Sequence, residues 1–134
     1  LTNEAGATLT NSGYLENAAI GIDSNSVLIN SGILSNTEDG VLLNISADGG
    51  VSTLTNSGSL TNNNHLHNDS YGEGSCSNLT NAAGATLTNT GLIANDSHYG
   101  GTSNLTNSGT LSNSGTFTYD SVEETSTSGG LYNS

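Results

Sequence analysis

Two histidines separated by one residue, His65 and His67, are the residues best suited to chemistry, with Asp69 two positions further on. Residues two apart on a β-strand point to the same face, so both imidazoles should face outward together. Imidazole and carboxylate are ligands for Zn²⁺ and Cu²⁺, and His98 could approach from a later repeat. The competing interpretation is that these histidines are exposed residues at variable repeat positions. We favour this interpretation and therefore predict no metal site. If a metal ion does bind, His65, His67 and Asp69 are the candidate ligands.

Paired carboxylates are the other catalytic possibility, because glycoside hydrolysis uses two of them around one bond. The pairs Glu38-Asp39 and Glu123-Glu124 are adjacent in sequence, so on a strand each pair would point to opposite faces. The chain has no Lys or Arg for a lyase-type site, and no Gly-x-Ser-x-Gly nucleophile motif. The sequence therefore predicts a protein that is not an enzyme.

Composition narrows the function further. The 134 residues include twelve acidic ones and no Lys or Arg, for a formal net charge of −12. Without Lys or Arg the chain has no permanently cationic side chain to pair with a phosphate, which argues against nucleic-acid binding. No apolar run approaches the roughly 20 residues of a membrane-spanning helix. Asn, Ser, Thr and Gly supply more than half of the chain, which would suit a disordered linker if the apolar residues were scattered.

The apolar residues instead follow a repeat, which a linker has no reason to keep. The motif Leu-x-Asn recurs at steps of six or eight residues, three times in each unit of about 26 residues. Residues 1–17 match residues 79–95 almost letter for letter. Successive units open at Leu1, Leu28, Leu54, Leu79, Leu105 and Leu131.

A step of six does not follow the helical period, and Asn, Gly, Ser and Thr are poor in helix interiors. Short strands fit, because in Thr8-Leu9-Thr10-Asn11 the Leu would point inward and both Thr outward. Gly13, two residues after Asn11, should permit a left-handed turn, and Asn64 takes the matching position in the third unit. The sequence predicts one all-β domain, residues 1–134, folded as a three-sided parallel β-helix of five rungs plus a partial sixth.

Stacked rungs place equivalent residues in columns, so Leu columns should fill the core and three Asn columns should line the corners. Two Asn columns are expected at Asn3, Asn30, Asn56, Asn81 and Asn107, and at Asn11, Asn36, Asn62, Asn89 and Asn113. The third is expected at Asn17, Asn44, Asn68 and Asn95, and Tyr119 interrupts it.

A variable tail of about a dozen residues should close each unit, and most of the carboxylates fall in these tails. They should form an acidic stripe that is screened by solution cations or by Ca²⁺. A solvated acidic edge needs no ordered ion, and no calcium-binding repeat spacing is present. We therefore expect no cofactor, with Ca²⁺ at the acidic loops as the alternative.

The outward positions of the second predicted strand in each repeat unit should form a hydroxyl-rich array when the units stack. It resembles the Thr-x-Thr surface of β-solenoid antifreeze proteins, which implies an ice- or carbohydrate-binding face as the alternative function. Thr is also a generic exposed strand residue. The candidate residues are Thr8, Thr10, Thr61, Thr86, Thr88 and Thr110, interrupted by Ile33, Ser35, Ser59 and Ser112.

The chain opens on a first-site residue, Leu1, and residues 131–134 begin a sixth rung with Leu131 and Asn133. Bare strand edges invite pairing, and a head-to-tail contact that does not close makes a filament. The expected partners are copies of the chain stacked through these ends, or flanking repeats of a longer chain.

The strings at 105–118 (LTNSGTLSNSGTFT) and 79–91 (LTNAAGATLTNTG) resemble repeats of filamentous-haemagglutinin-like and autotransporter adhesins of bacteria. The resemblance implies a right-handed β-helix in the stalk of a surface protein that supports adhesion or biofilm formation, with host or matrix glycans as further partners. From the pattern and the resemblance together, we expect an extracellular or cell-surface structural protein.

Overall fold

The computed structural model describes residues 1–122 and 127–133, which form sixteen β-strands. The predicted all-β parallel solenoid is confirmed. The strands are β1 (Thr2–Asn3), β2 (Thr8–Asn11), β3 (Tyr14–Ile20), β4 (Asn25–Asn30), β5 (Ile33–Asn36), β6 (Val41–Ala47), β7 (Val51–Asn56), β8 (Ser59–Asn62), β9 (His65–Tyr71), β10 (Cys76–Asn81), β11 (Thr86–Asn89), β12 (Leu92–His98), β13 (Thr102–Asn107), β14 (Thr110–Asn113), β15 (Thr116–Val122) and β16 (Thr127–Asn133).

Every third strand belongs to the same parallel sheet. The first sheet has the order β1-β4-β7-β10-β13-β16, the second β14-β11-β8-β5-β2, and the third β15-β12-β9-β6-β3. Equivalent repeat positions are in register, as in the pairing of Leu54 with Leu28 and with Leu79. Three successive strands therefore make one rung, and β16 starts a sixth.

The core consists of the predicted aliphatic columns, one from each sheet. Their side chains in the inner rungs are at most 1% exposed, and those of the end rungs, Leu9, Leu15, Leu111 and Phe117, pack against them partly buried. The fully buried members are Leu28, Leu34, Leu42, Leu54, Leu60, Leu66, Leu79, Leu87, Ile93 and Leu105.

Two of the Asn columns lie at corners, as predicted. At the first corner Asn30 Nδ2 donates to Asn56 Oδ1 over 2.7 Å, and at the second Asn62 Nδ2 donates to Asn89 Oδ1 over 2.7 Å. Each inner amide also donates to a backbone carbonyl, as Asn30 does to Ser59 O. The ladder thus satisfies buried amides that would otherwise cost about 1–3 kcal/mol each.

The third Asn column is not at a corner, contrary to the sequence prediction. Asn44 and Asn68 lie in the middle of β6 and β9, with their side chains inside the solenoid. Asn44 Nδ2 donates to Asn68 Oδ1 (2.6 Å) and to Asn78 O (2.9 Å) of the first sheet. This column therefore ties the third sheet to the first across the interior, because the third strands continue for three residues beyond the Asn.

The predicted tail of a dozen residues is also absent as a loop from the inner rungs. Those residues complete the third strand, make a turn of three or four residues, and begin the next rung, as in Asp48-Gly49-Gly50 between β6 and β7. Asp48 (φ 52°) and Gly49 (φ 86°) have left-handed backbone conformations in this turn. Buried serines, which the sequence analysis missed, line the interior beside the turn, and Ser103 Oγ donates to Ser70 Oγ over 2.9 Å.

The glycines after the Asn residues are needed for space, which corrects the predicted left-handed turn. Neither Gly13 nor Asn64 has a positive φ, whereas Gly6 does (82°) in an eight-residue step. A Cβ added at Gly58 would lie 2.2 Å from Gly32 O of the preceding rung. At Gly58 the rungs therefore approach too closely for a side chain to fit between them, whereas the second corner accepts Asn64 in one rung.

Candidate functional site

The outer face of the third sheet, between the third and fourth rungs, carries the most reactive group of side chains. Inward Leu66 and Asn68 are fully buried, so His67 and Asp69 of β9 point to the outer face. Strand β12 stacks on β9 with Ala94 beside His67 and Ser97 beside Ser70. This register places Asp96 next to Asp69. We call His67, Asp69 and Asp96 the inter-rung cluster.

The three side chains of the inter-rung cluster are close enough to share one ion. One ligand atom from each lies within 4.8 Å of the other two, and His67 Nδ1 is 3.3 Å from Asp69 Oδ2. Asp69 is 7% exposed, while His67 and Asp96 are partly buried. Asp96 Oδ1 accepts a hydrogen bond from the backbone amide of Asp120 (3.0 Å) in the next rung.

The pKa values of two side chains in the inter-rung cluster, His67 and Asp96, are raised. The hydrogen bond to Asp69 raises the pKa of His67 above 6.5, although burial opposes this, and the charges of Asp69 and Asp96 add to the rise. Burial raises the pKa of Asp96 above 3.8, and the neighbouring charge of Asp69 raises it further. The cluster therefore favours a bound cation, whether a proton or a metal ion, over bare negative charge.

Asp69 carries an oxygen that the described part of the protein does not satisfy. Its Oδ1 is inaccessible to solvent and has no hydrogen-bond partner there. A buried carboxylate normally pairs with a cation or several donors, because its desolvation is costly. The chain has no Lys or Arg to provide the charge. His67, when protonated, is thus the only side-chain cation in contact with Asp69 among the described residues.

The predicted metal candidates are only partly brought together. His65 stacks on His67 with ring centroids 5.7 Å apart but is outside the cluster, and His98 stacks on Tyr71 instead (4.6 Å). Sequence reasoning missed Asp96. The signal was present, since Asn-Asp-Ser occurs at 68–70 and again at 95–97, one rung later.

Other carboxylates do not form the single stripe of loops that was expected. Asp23, Asp48 and Glu73 are exposed in the turns between the third and first sheets. Glu38 and Asp39 are exposed in the turn between β5 and β6, not on a strand. Glu123 and Glu124 lie outside the described residues.

The hydroxyl array lies on the second sheet as predicted. Strands β2, β5, β8, β11 and β14 stack so that Thr8, Ile33, Ser59, Thr86 and Thr110 form one outward column. The second column is Thr10, Ser35, Thr61, Thr88 and Ser112. Thr61 and Thr88 are partly buried, and the other Thr residues of the array are exposed.

At both ends of the described solenoid the outermost strand is parallel to its neighbour and keeps the column positions. The Leu1 amino group donates to Val27 O (2.8 Å), and the Leu1 side chain is 63% exposed. At the other end β16 pairs Leu131 with Leu105 and Asn133 with Asn107, after a one-residue register shift between Ser103 and Leu105. Among the described residues, no helix is long and apolar enough to span a membrane.

No protein-family model matches this chain, and no curated protein or solved structure matches it either.

Proposed function

We propose that this solenoid is a structural rod, either a subunit that stacks on copies of itself or a repeat segment in the stalk of a larger surface protein. One observation carries the proposal: at both ends of the described solenoid the outermost strand pairs in parallel and keeps its Asn in the column, Asn3 with Asn30 and Asn133 with Asn107. Another rung can therefore continue the sheets and the Leu columns at either end. An open parallel edge is a template for pairing.

Continuation is needed for a rod, because five rungs at about 4.8 Å give a body only about 24 Å long. Each added rung buries aliphatic side chains on both of its faces and extends the Asn ladders by one hydrogen bond per column. The interaction is heterologous, so it does not close into a ring without a bend. The open strand edges therefore support growth along the solenoid axis, either by further copies of the chain or by flanking repeats.

An extracellular or cell-surface location fits the composition. The chain has no Lys or Arg, and therefore no trypsin site. Its charge of −12 keeps neighbouring rods apart laterally. The similarity of residues 79–91 and 105–118 to adhesin repeats supports the same placement.

Electron microscopy of the purified chain, with EDTA and with Ca²⁺, tests self-stacking. We expect filaments with an axial repeat of about 24 Å, or somewhat more with the partial rung. Leu9→Asp places a charge in the core column of the first rung and should leave short particles. Thr10→Asp, on the outer face of the same strand, should leave filaments intact. Short particles from the unaltered chain would contradict self-stacking and leave the repeat-segment form of the proposal.

A second candidate function rests on the in-register hydroxyl columns of the second sheet. Hydroxyls repeat at about 4.8 Å along the axis and about 7 Å along each strand, which is a regular surface for ice or a polysaccharide. Inhibition of ice recrystallisation, and binding to a glycan array, test the two ligands. Thr88→Tyr on this face should abolish either activity, and Thr53→Tyr on the first sheet should not. Equal activity of both variants would contradict this role.

A further inference from the structure

We propose that the inter-rung cluster of His67, Asp69 and Asp96 binds one divalent transition-metal ion, Zn²⁺ by its ligand chemistry, and clips the third rung to the fourth. The proposal concerns a site that the structural role does not require. It follows from the placement of ligands from two strands, β9 and β12, on one patch of the outer face.

Distances support a three-ligand site. The ligand atoms lie within 4.8 Å of one another. Ligand atoms around a tetrahedral Zn²⁺ at 2.0–2.2 Å are about 3.4 Å apart. Side-chain rotations that move these atoms by about 1 Å would therefore bring them to the coordination distance. Ala94, beside His67 in the next rung, is a small residue that leaves the imidazole partly accessible. A fourth position then stays open to water.

The unsatisfied oxygen of Asp69 is the independent observation that points to a ligand. Its Oδ1 has no partner, Asp69 is 7% exposed, and its Oδ2 already faces His67 Nδ1. Asp96 adds a second carboxylate at close range, yet no Lys or Arg exists anywhere in the chain. A divalent cation would neutralise both carboxylates and use the oxygen that the protein leaves unpaired.

Ligand type favours a transition metal over Ca²⁺. Ca²⁺ and Mg²⁺ take oxygen ligands, and Ca²⁺ takes six to eight of them. One imidazole nitrogen with two carboxylate oxygens is a mixed set that suits Zn²⁺. Because the ligands come from different rungs, binding would favour the folded state by mass action.

Titration calorimetry of the untagged, EDTA-treated and dialysed full chain with Zn²⁺ tests the proposal. We expect one ion per chain, a higher melting temperature with Zn²⁺, and a visible absorption spectrum when Co²⁺ replaces it. Asp96→Asn should weaken Zn²⁺ binding at least about tenfold. This variant removes charge repulsion from a partly buried position, so its fold should persist, which circular dichroism checks.

His65→Gln is the matched control, because His65 neighbours His67 on the same face but is outside the cluster. It should bind Zn²⁺ as the unaltered chain does. Absence of saturable binding, or an unchanged affinity in Asp96→Asn, would overturn the site. Loss of binding in His65→Gln would assign the metal to the histidine pair instead, and tighter binding of Ca²⁺ than of Zn²⁺ would overturn the choice of metal.

Discussion

Asn36 Nδ2 donates to Asn62 Oδ1 over 2.7 Å, although the two residues are 26 positions apart in sequence. Both side chains are fully buried, and Asn62 Nδ2 passes the pattern on to Asn89 Oδ1. Each amide therefore accepts from one rung and donates to the next. The second hydrogen of each amide is donated to a backbone carbonyl, as Asn62 Nδ2 donates to Leu92 O (2.8 Å). The ladder links the rungs more specifically than the Leu columns do, because hydrogen bonds between side-chain amides fix both distance and direction.

Replacing Asn62 tests the energetic role of the ladder. Asn62→Ala removes the donor to Asn89 Oδ1 and leaves that buried oxygen unpaired, so we expect a loss of about 3 kcal/mol in the free energy of unfolding. Asn62→Asp has the same shape but sets an acceptor against an acceptor and buries a charge, so it should cost more at neutral pH. Urea unfolding measures both. Thr61→Ala, the outward neighbour, should change stability by less than about 0.5 kcal/mol, and an equally small change in Asn62→Ala would contradict the ladder.

Two corner glycines provide a matched pair. Gly58→Ala should destabilise by about 1–3 kcal/mol, because its methyl group would press on Gly32 O of the preceding rung. Gly13 lies in the first rung, where an added Cβ meets nothing within 4 Å, and its φ is not positive. Gly13→Ala should therefore be neutral or stabilise by up to about 1 kcal/mol through the unfolded state. Thermal unfolding measures the difference, and equal effects would show that close approach of rungs is not the reason for glycine.

Metal-free protein should show a pH-dependent contribution from His67. The folded pKa of His67 is raised above 6.5, mainly by Asp69, so its stabilisation is fully present below the unfolded pKa and is lost as pH rises through the folded pKa. We expect the difference in unfolding free energy between the unaltered chain and His67→Gln to shrink as the pH rises above about 6.5. Urea unfolding in EDTA measures it.

Asp69→Asn supplies the control for that pH dependence. It removes the main cause of the raised pKa, so His67→Gln in this background should have a much flatter pH profile. A difference that grows with pH in the unaltered background would contradict the assigned interaction.

Sequence reasoning succeeded where a single rung contains the information. The alternation in Thr8-Leu9-Thr10-Asn11 fixes which side chains enter the core, and the period of about 26 then fixes the columns. It failed where a position depends on contacts with other rungs. Gly58 is explained by Gly32 of the preceding rung, and Asn44 reaches Asn78 of the first sheet across the interior.

Prediction of the inter-rung cluster failed for Asp96 for the same reason. The sequence prediction grouped His67 with His65 and Asp69 on the same strand, whereas the structure leaves His65 outside the cluster and adds Asp96 from the next rung. The burial of Asp69 depends on neighbours above and below, such as Ile45 in β6. In a solenoid, candidate sites are therefore found by aligning the repeats before grouping residues by type.

A tandem chain tests the central claim, that a further rung can stack in register on the end of this solenoid. In this fusion, a first copy ends at residue 130 and is followed directly by a second copy, residues 1–134. The second Leu1 then takes the position of Leu131, which preserves the step of 26 residues from Leu105. Small-angle X-ray scattering should show one rigid particle that is longer than the single chain by about 24 Å at an unchanged cross-section. It should also unfold in one cooperative transition at a higher temperature than the single chain. Two bodies joined flexibly, each melting like the single chain, would contradict the account.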